Sequence, residues 1–122
     1  MKTGIYIHIP FCKSRCIYCG FYSSTLFGLQ HDYAATLIKE MHLRRSEFNG
    51  LGSIDSPNSV DTIYIGGGTP STLPLPDIQD ILNSVSECFP GNPREVTIEV
   101  NPDDITPEFV GRLQSFGINR IS

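Results

Sequence analysis

The stretch Ile5-Tyr6-Ile7-His8-Ile9-Pro10-Phe11-Cys12-Lys13-Ser14-Arg15-Cys16-Ile17-Tyr18-Cys19 decides how the rest of this chain is read. Its first five residues form a strand pattern, with Ile5, Ile7 and Ile9 on one face and Tyr6 and His8 on the other. Three cysteines follow at the spacing C-x3-C-x2-C, so one short loop can aim three thiolates at a common point. Iron–sulfur clusters are normally held by four cysteine thiolates. Three leave one iron of a [4Fe–4S] cube open to a small-molecule ligand, which a cluster needs if it is to act on that ligand.

Two blander readings fit less well. A structural zinc site takes four ligands, usually in two separated pairs, and no second pair accompanies this triplet. Disulfides belong to oxidising compartments, whereas the N-terminus reads as lacking a signal peptide: its apolar run is short, is broken by His8 and leads straight into the cysteines. The fourth cysteine, Cys88, falls on the apolar stripe of a helical pattern with Ile81 and Val85 and is expected to be an inert buried thiol.

Working outward, strands and helices alternate. Strand patterns cover Ile5–Ile9, Val60–Ile65, Glu95–Val100 and Ile118–Ser122. Helical periodicity covers Asp32 to about Phe48 and Asp77–Phe89, and a third helix opens at Thr106-Pro107-Glu108. Gly117 is placed to end that helix. This rhythm predicts an α/β fold of parallel strands with outer helices and right-handed crossovers, with residues 49–60 as a surface connection. No linker between domains is evident.

Every strand pattern has an aliphatic face and a polar or aromatic one. Ile63 and Ile65 oppose Thr62, Tyr64 and Gly66; Val96, Ile98 and Val100 oppose Thr97, Glu99 and Asn101. If the sheet curls into a barrel, the second set lines its interior, where Glu99 requires a partner. Ligands of α/β sheets sit at the carboxyl ends of the strands. Those ends carry the cysteines, then Gly66-Gly67-Gly68-Thr69-Pro70, then Glu99-Val100-Asn101-Pro102. The glycine run lets backbone approach a ligand without an intervening Cβ. It is neither a P-loop nor the dinucleotide fingerprint.

At 122 residues and 39 % hydrophobic content the chain can bury a compact core. A net charge of −4 argues against a nucleic-acid role driven by basic charge. Lys39, Arg44 and Arg45 share a helix with Glu40 and Glu47, which reads as a solvated face. No apolar run approaches a membrane span, so membrane association is not indicated and a cytoplasmic location is the default.

With these residues in place, the chain resembles the radical S-adenosylmethionine (radical SAM) superfamily, whose signature Cys12, Cys16, Tyr18 and Cys19 match. The strings Tyr6–Cys12, Ile63–Ser71 and Ile98–Pro102 resemble the oxygen-independent coproporphyrinogen III oxidase family over essentially the whole chain. Two departures point to its haem-chaperone branch, the HemW type. Phe21 stands where the oxidases carry a further cysteine, and Tyr6 is reached without their long N-terminal extension. The resemblance implies the N-terminal half of a partial (β/α)6 barrel, a single incomplete domain over residues 1–122 whose C-terminal remainder lies beyond Ser122. It implies that Cys12, Cys16 and Cys19 ligate a [4Fe–4S] cluster, that Tyr18 packs beside it, and that Tyr6, Gly67, Gly68, Thr69 and Glu99 contact S-adenosyl-L-methionine. Reduction would then yield a 5′-deoxyadenosyl radical, the cofactor supplying the hard chemistry. No catalytic residue is assigned beyond the cluster, and His8 is expected to be a satisfied interior histidine. The implied partners are haem or a porphyrin and a haem-acceptor protein. The alternative implied by the same resemblance is an oxidase making protoporphyrinogen IX. A half barrel leaves open sheet edges, so these residues alone are expected to self-associate.

Overall fold

The structure, a computed structural model, describes residues 3–10, 23–49, 60–89 and 91–122. Four strands form one sheet: β1 (Thr3–Ile9), β2 (Val60–Gly67), β3 (Gly91–Ile98) and β4 (Arg120–Ile121). Their spatial order is β1-β2-β3-β4 and every pairing is parallel. Helices α1 (Ser23–Asn49), α2 (Leu75–Cys88) and α3 (Pro107–Ser115) connect them in turn. Parallel neighbours need long crossovers, and the helical patterns supply them.

The aliphatic faces behave as the alternation predicts. Ile7, Ile9, Ile63, Ile65, Val96 and Ile98 are buried in one core with Ala34 and Met41 of α1, Ile78, Ile81, Leu82 and Val85 of α2, and Leu113 of α3. Cys88 lies in that core, as its place on the stripe requires, with its Sγ 3.4 Å from His42 Nδ1. The expected solvated face of α1 carries an exposed i,i+4 pair, Arg44 to Glu40 at 3.4 Å. No helix among the described residues is long and apolar enough to cross a membrane.

Helix ends follow local chemistry. Thr106 caps α3, its hydroxyl oxygen accepting from Phe109 N–H at 3.1 Å. Gly117, at φ +96°, takes the left-handed conformation that stops it. Several boundaries differ from the sequence reading: β1 starts at Thr3, β2 runs on to Gly67, α2 covers Leu75–Cys88 and β4 only Arg120–Ile121. Helix α1 begins at Ser23 and not at Asp32, running through Gly28 at a propensity cost that a 27-residue helix can bear. Strand β3 starts at Gly91 and ends at Ile98, leaving Glu99 just past it, although Glu99 N–H still donates to Ile65 C=O at 3.0 Å. The connection expected at 49–60 falls, from 50 to 59, outside the described residues.

Candidate functional site

Register brings the polar residues of separate strands together. In β1 and β2, Tyr6 pairs with Tyr64 and His8 with Gly66; in β2 and β3, Tyr64 pairs with Thr97. Tyr6, His8, Tyr64 and Thr97 project from the face opposite the core, since alternate residues of a strand do so. Tyr6 is 59 % exposed there, and its ring stacks on that of Tyr64 at 5.8 Å between centroids and 14° between planes.

Glu99 is the convergence point. Its Oε2 accepts a 2.6 Å hydrogen bond from the Tyr64 hydroxyl, and its Oε1 accepts from Gly67 N–H at 3.0 Å. The partner that the sequence demanded for an inward carboxylate is thus a strand tyrosine together with the glycine run. The bond to Glu99 raises the Tyr64 phenol above its ordinary value, and a bond with Ser122 works against that rise.

The glycines are small for a geometric reason. A Cβ on Gly66 would stand 2.7 Å from Tyr64 Cε1 and 3.0 Å from Glu99 Oε1, so a side chain there would push the pair apart. Gly67, at φ +117°, would place a Cβ 2.7 Å from the Ile9 carbonyl oxygen. Gly68 N–H donates to that same oxygen at 2.7 Å, binding the glycine run to the last residue of β1. Thr69 precedes a 3-10 turn at Pro70–Thr72 and does not cap it with its side chain. Behind the run, Ser71 Oγ donates to Asp104 Oδ2 at 2.7 Å and accepts from Asn101 N–H at 3.2 Å, tying the loop after β2 to the loop after β3.

Of the residues singled out in the sequence, Tyr6, Gly67, Gly68, Thr69 and Glu99 all lie along the carboxyl-end rim and polar face. Cys12, Cys16, Cys19 and Tyr18 lie outside the described residues, as does Phe21. His8 departs from the interior position expected of it. It is exposed, with its Nδ1 3.5 Å from Tyr6 Oη, because all three helices cover the other side of the sheet. Tyr64 and Ser122 went unassigned in the sequence. Alternation put Tyr64 on the polar face, but its bond to Glu99 depends on register. Ser122 reaches the site because its N–H donates to Ile98 C=O at 3.0 Å, extending the β3–β4 ladder by one residue. Taken together, the face offers a fixed carboxylate acceptor, an exposed aromatic ring and approachable backbone.

Comparison with known proteins gives a consistent picture. The Radical SAM superfamily model matches residues 6–122. The Heme chaperone HemW of Synechocystis sp. is 34 % identical over 130 residues, covering 100 % of this chain and 29 % of that protein. The Heme chaperone HemW of Escherichia coli is 37 % identical over 122 residues, covering 98 % and 30 %. An oxygen-independent coproporphyrinogen-III oxidase-like protein of Bacillus subtilis, HemZ, is 33 % identical, covering 99 % and 24 %. The solved coproporphyrinogen III oxidase HemN of Escherichia coli, described as a radical SAM enzyme, superposes with a TM-score of 0.69 at 27 % identity, covering 97 % of this chain and 26 % of that one. The chain therefore spans less than a third of the length of these relatives.

Proposed function

The chain belongs to the Radical SAM superfamily, and on that premise we propose that it is part of a haem chaperone of the HemW type, with a [4Fe–4S] cluster and S-adenosyl-L-methionine as cofactors. The observation that carries this reading is the likeness to the HemW proteins of Synechocystis and Escherichia coli along the whole chain. Phe21, in place of a further cysteine, supports the same branch. In this reading residues 1–122 are one portion of a single barrel domain, the protein works in the cytoplasm, and its partners are haem and a haem-accepting protein.

The polar face fits the organic cofactor by its donor and acceptor chemistry. Glu99 offers acceptors to N–H or O–H groups, Tyr6 presents an open ring, and the glycines admit a ligand against the backbone. Cys12, Cys16 and Cys19 would hold the cluster, and Tyr18 would pack beside it. When bound, cluster and cofactor together supply one-electron, hydrogen-abstracting chemistry. The chain's own part is to orient: Gly67 and Tyr64 fix the Glu99 carboxylate, and Gly68 fixes the run to the strand that leads into the cysteines.

A second reading, oxidative decarboxylation of coproporphyrinogen III, is supported by the structural likeness to HemN. The test uses full-length protein reconstituted anaerobically with iron and sulfide. Haem binding by absorbance without turnover of coproporphyrinogen is expected, and turnover at an enzymatic rate would replace the chaperone reading. Replacing Cys12, Cys16 or Cys19 by Ala is expected to abolish the cluster absorbance. A cluster surviving loss of Cys16 would refute the three-thiolate site.

A further inference from the structure

Tyr64 is not among the residues read as contacts of the cofactor. Its ring is half-buried on the polar face, stacked under the exposed ring of Tyr6, and its hydroxyl points away from that stack to Glu99. A carboxylate on a flexible side chain samples several orientations in an open site. Two donors on its two oxygens, one from a strand side chain and one from backbone, reduce these to one. Gly66 is what permits the arrangement, because any Cβ there would meet both Tyr64 and Glu99 at 3.0 Å or less. The side chain of the residue paired across β1 and β2 braces the ring, so the hydroxyl is held from behind as well.

Resting on the reading of Glu99 as a contact of S-adenosyl-L-methionine, we propose that Tyr64 is a positioning residue that sets the orientation of the Glu99 carboxylate through its hydroxyl. It does not touch the cofactor itself. The hydroxyl contributes nothing to the aliphatic core, which lies on the other side of the sheet. Removing it therefore alters the site and leaves the fold alone.

The experiment is a double-mutant cycle on the full-length, cluster-reconstituted protein, reading S-adenosyl-L-methionine affinity by calorimetry. Glu99→Gln is expected to weaken binding by about tenfold or more, and Tyr64→Phe by about fivefold to tenfold. In the Glu99→Gln background, Tyr64→Phe is expected to add less than about twofold, since its effect passes through the carboxylate. Unchanged affinity in Glu99→Gln removes the premise and the proposal with it. A weakened Glu99→Gln with an unchanged Tyr64→Phe, or additive effects of the two, overturns the proposal while leaving Glu99 a contact. A readout without cofactor comes from 13Cζ-tyrosine NMR. Glu99→Gln is expected to bring the Tyr64 titration down toward that of an ordinary tyrosine, because the bond to Glu99 is the main cause of its rise. A Tyr64 titration that does not move would also overturn the proposal.

Discussion

Gly67→Ala puts two consequences of the rim geometry into one measurement. The backbone at φ +117° is open to glycine and costly to any residue with a Cβ, about 1–3 kcal/mol. The added Cβ also meets two groups, the His8 ring at 2.8 Å and the Ile9 carbonyl oxygen at 2.7 Å. The exposed His8 ring can move aside. The carbonyl cannot, because Ile9 is fully buried in β1 and its oxygen already accepts from Gly68 N–H. Relieving the clash costs that hydrogen bond, about 1 kcal/mol. The sum is about 2–4 kcal/mol, a large part of the roughly 5–15 kcal/mol that separates a folded domain from its unfolded chain. Gly111→Ala is the matched control. It lies inside α3 with nothing within 4 Å of the added methyl, so the change is expected to stabilise by about 0.5–1 kcal/mol. Urea unfolding followed by circular dichroism separates them. With a slope of about 2 kcal/mol per molar, Gly67→Ala lowers the midpoint by about 1–2 M and Gly111→Ala raises it. Midpoints for the two variants that agree within about 0.3 M would refute the argument from the rim.

Other outcomes follow from named contacts. His31 Nδ1 lies 2.8 Å from Asp77 Oδ1, a bond that raises the histidine above 6.5, with Asp32 and Asp80 adding to the rise and burial opposing it. The pair therefore stabilises fully below about pH 6.5 and loses that contribution as pH climbs from there through the raised value of the folded state. His31→Ala is therefore expected to cost stability at about pH 5.5 and much less at about pH 8.5, and a cost independent of pH would count against the pair. Cys88 is 1 % exposed and burial pushes its thiol up, so the folded protein is expected to protect it from alkylation. Cys88→Ala is expected to keep the cluster, and a cluster that needs Cys88 would sink the assignment of its ligands. Thr106→Ala, which removes the acceptor for Phe109 N–H, is expected to cost about 1 kcal/mol in the same urea assay.

Alternation and helical spacing carried most of this fold, because both follow from local geometry. Alternation alone assigns Ile7, Ile65 and Ile98 to the core and Glu99 to the other face. What stayed hidden depends on how strands are staggered. Tyr64 was visible as an aromatic on the polar side, but its bond to a carboxylate 35 residues away needs the register of β2 against β3. The first turns of α1, from Ser23, precede the apolar spacing that begins beyond Asp32, so periodicity does not mark them. For His8, alternation says which face the residue occupies, not whether that face is covered.

The shared register of Tyr6 with Tyr64, and of Tyr64 with Thr97, also constrains how this chain can change in length. Side chains along a strand have a parity, odd or even, and the site requires that β1, β2 and β3 keep theirs in step. Deleting Ile65, in the regularly paired stretch between Tyr64 and the glycine run, reverses the parity of the β2 residues before it or shifts their pairing by one. Either Tyr64 turns toward the helices and an isoleucine toward the ligand side, or the tyrosine slides out of reach of Glu99. Two deleted residues restore the parity and shorten the strand. Tolerated length changes in the regularly paired stretch from Thr62 to Ile65 should therefore come in pairs, while those in the connections, and at the register shift beside Asp61, are free of that arithmetic.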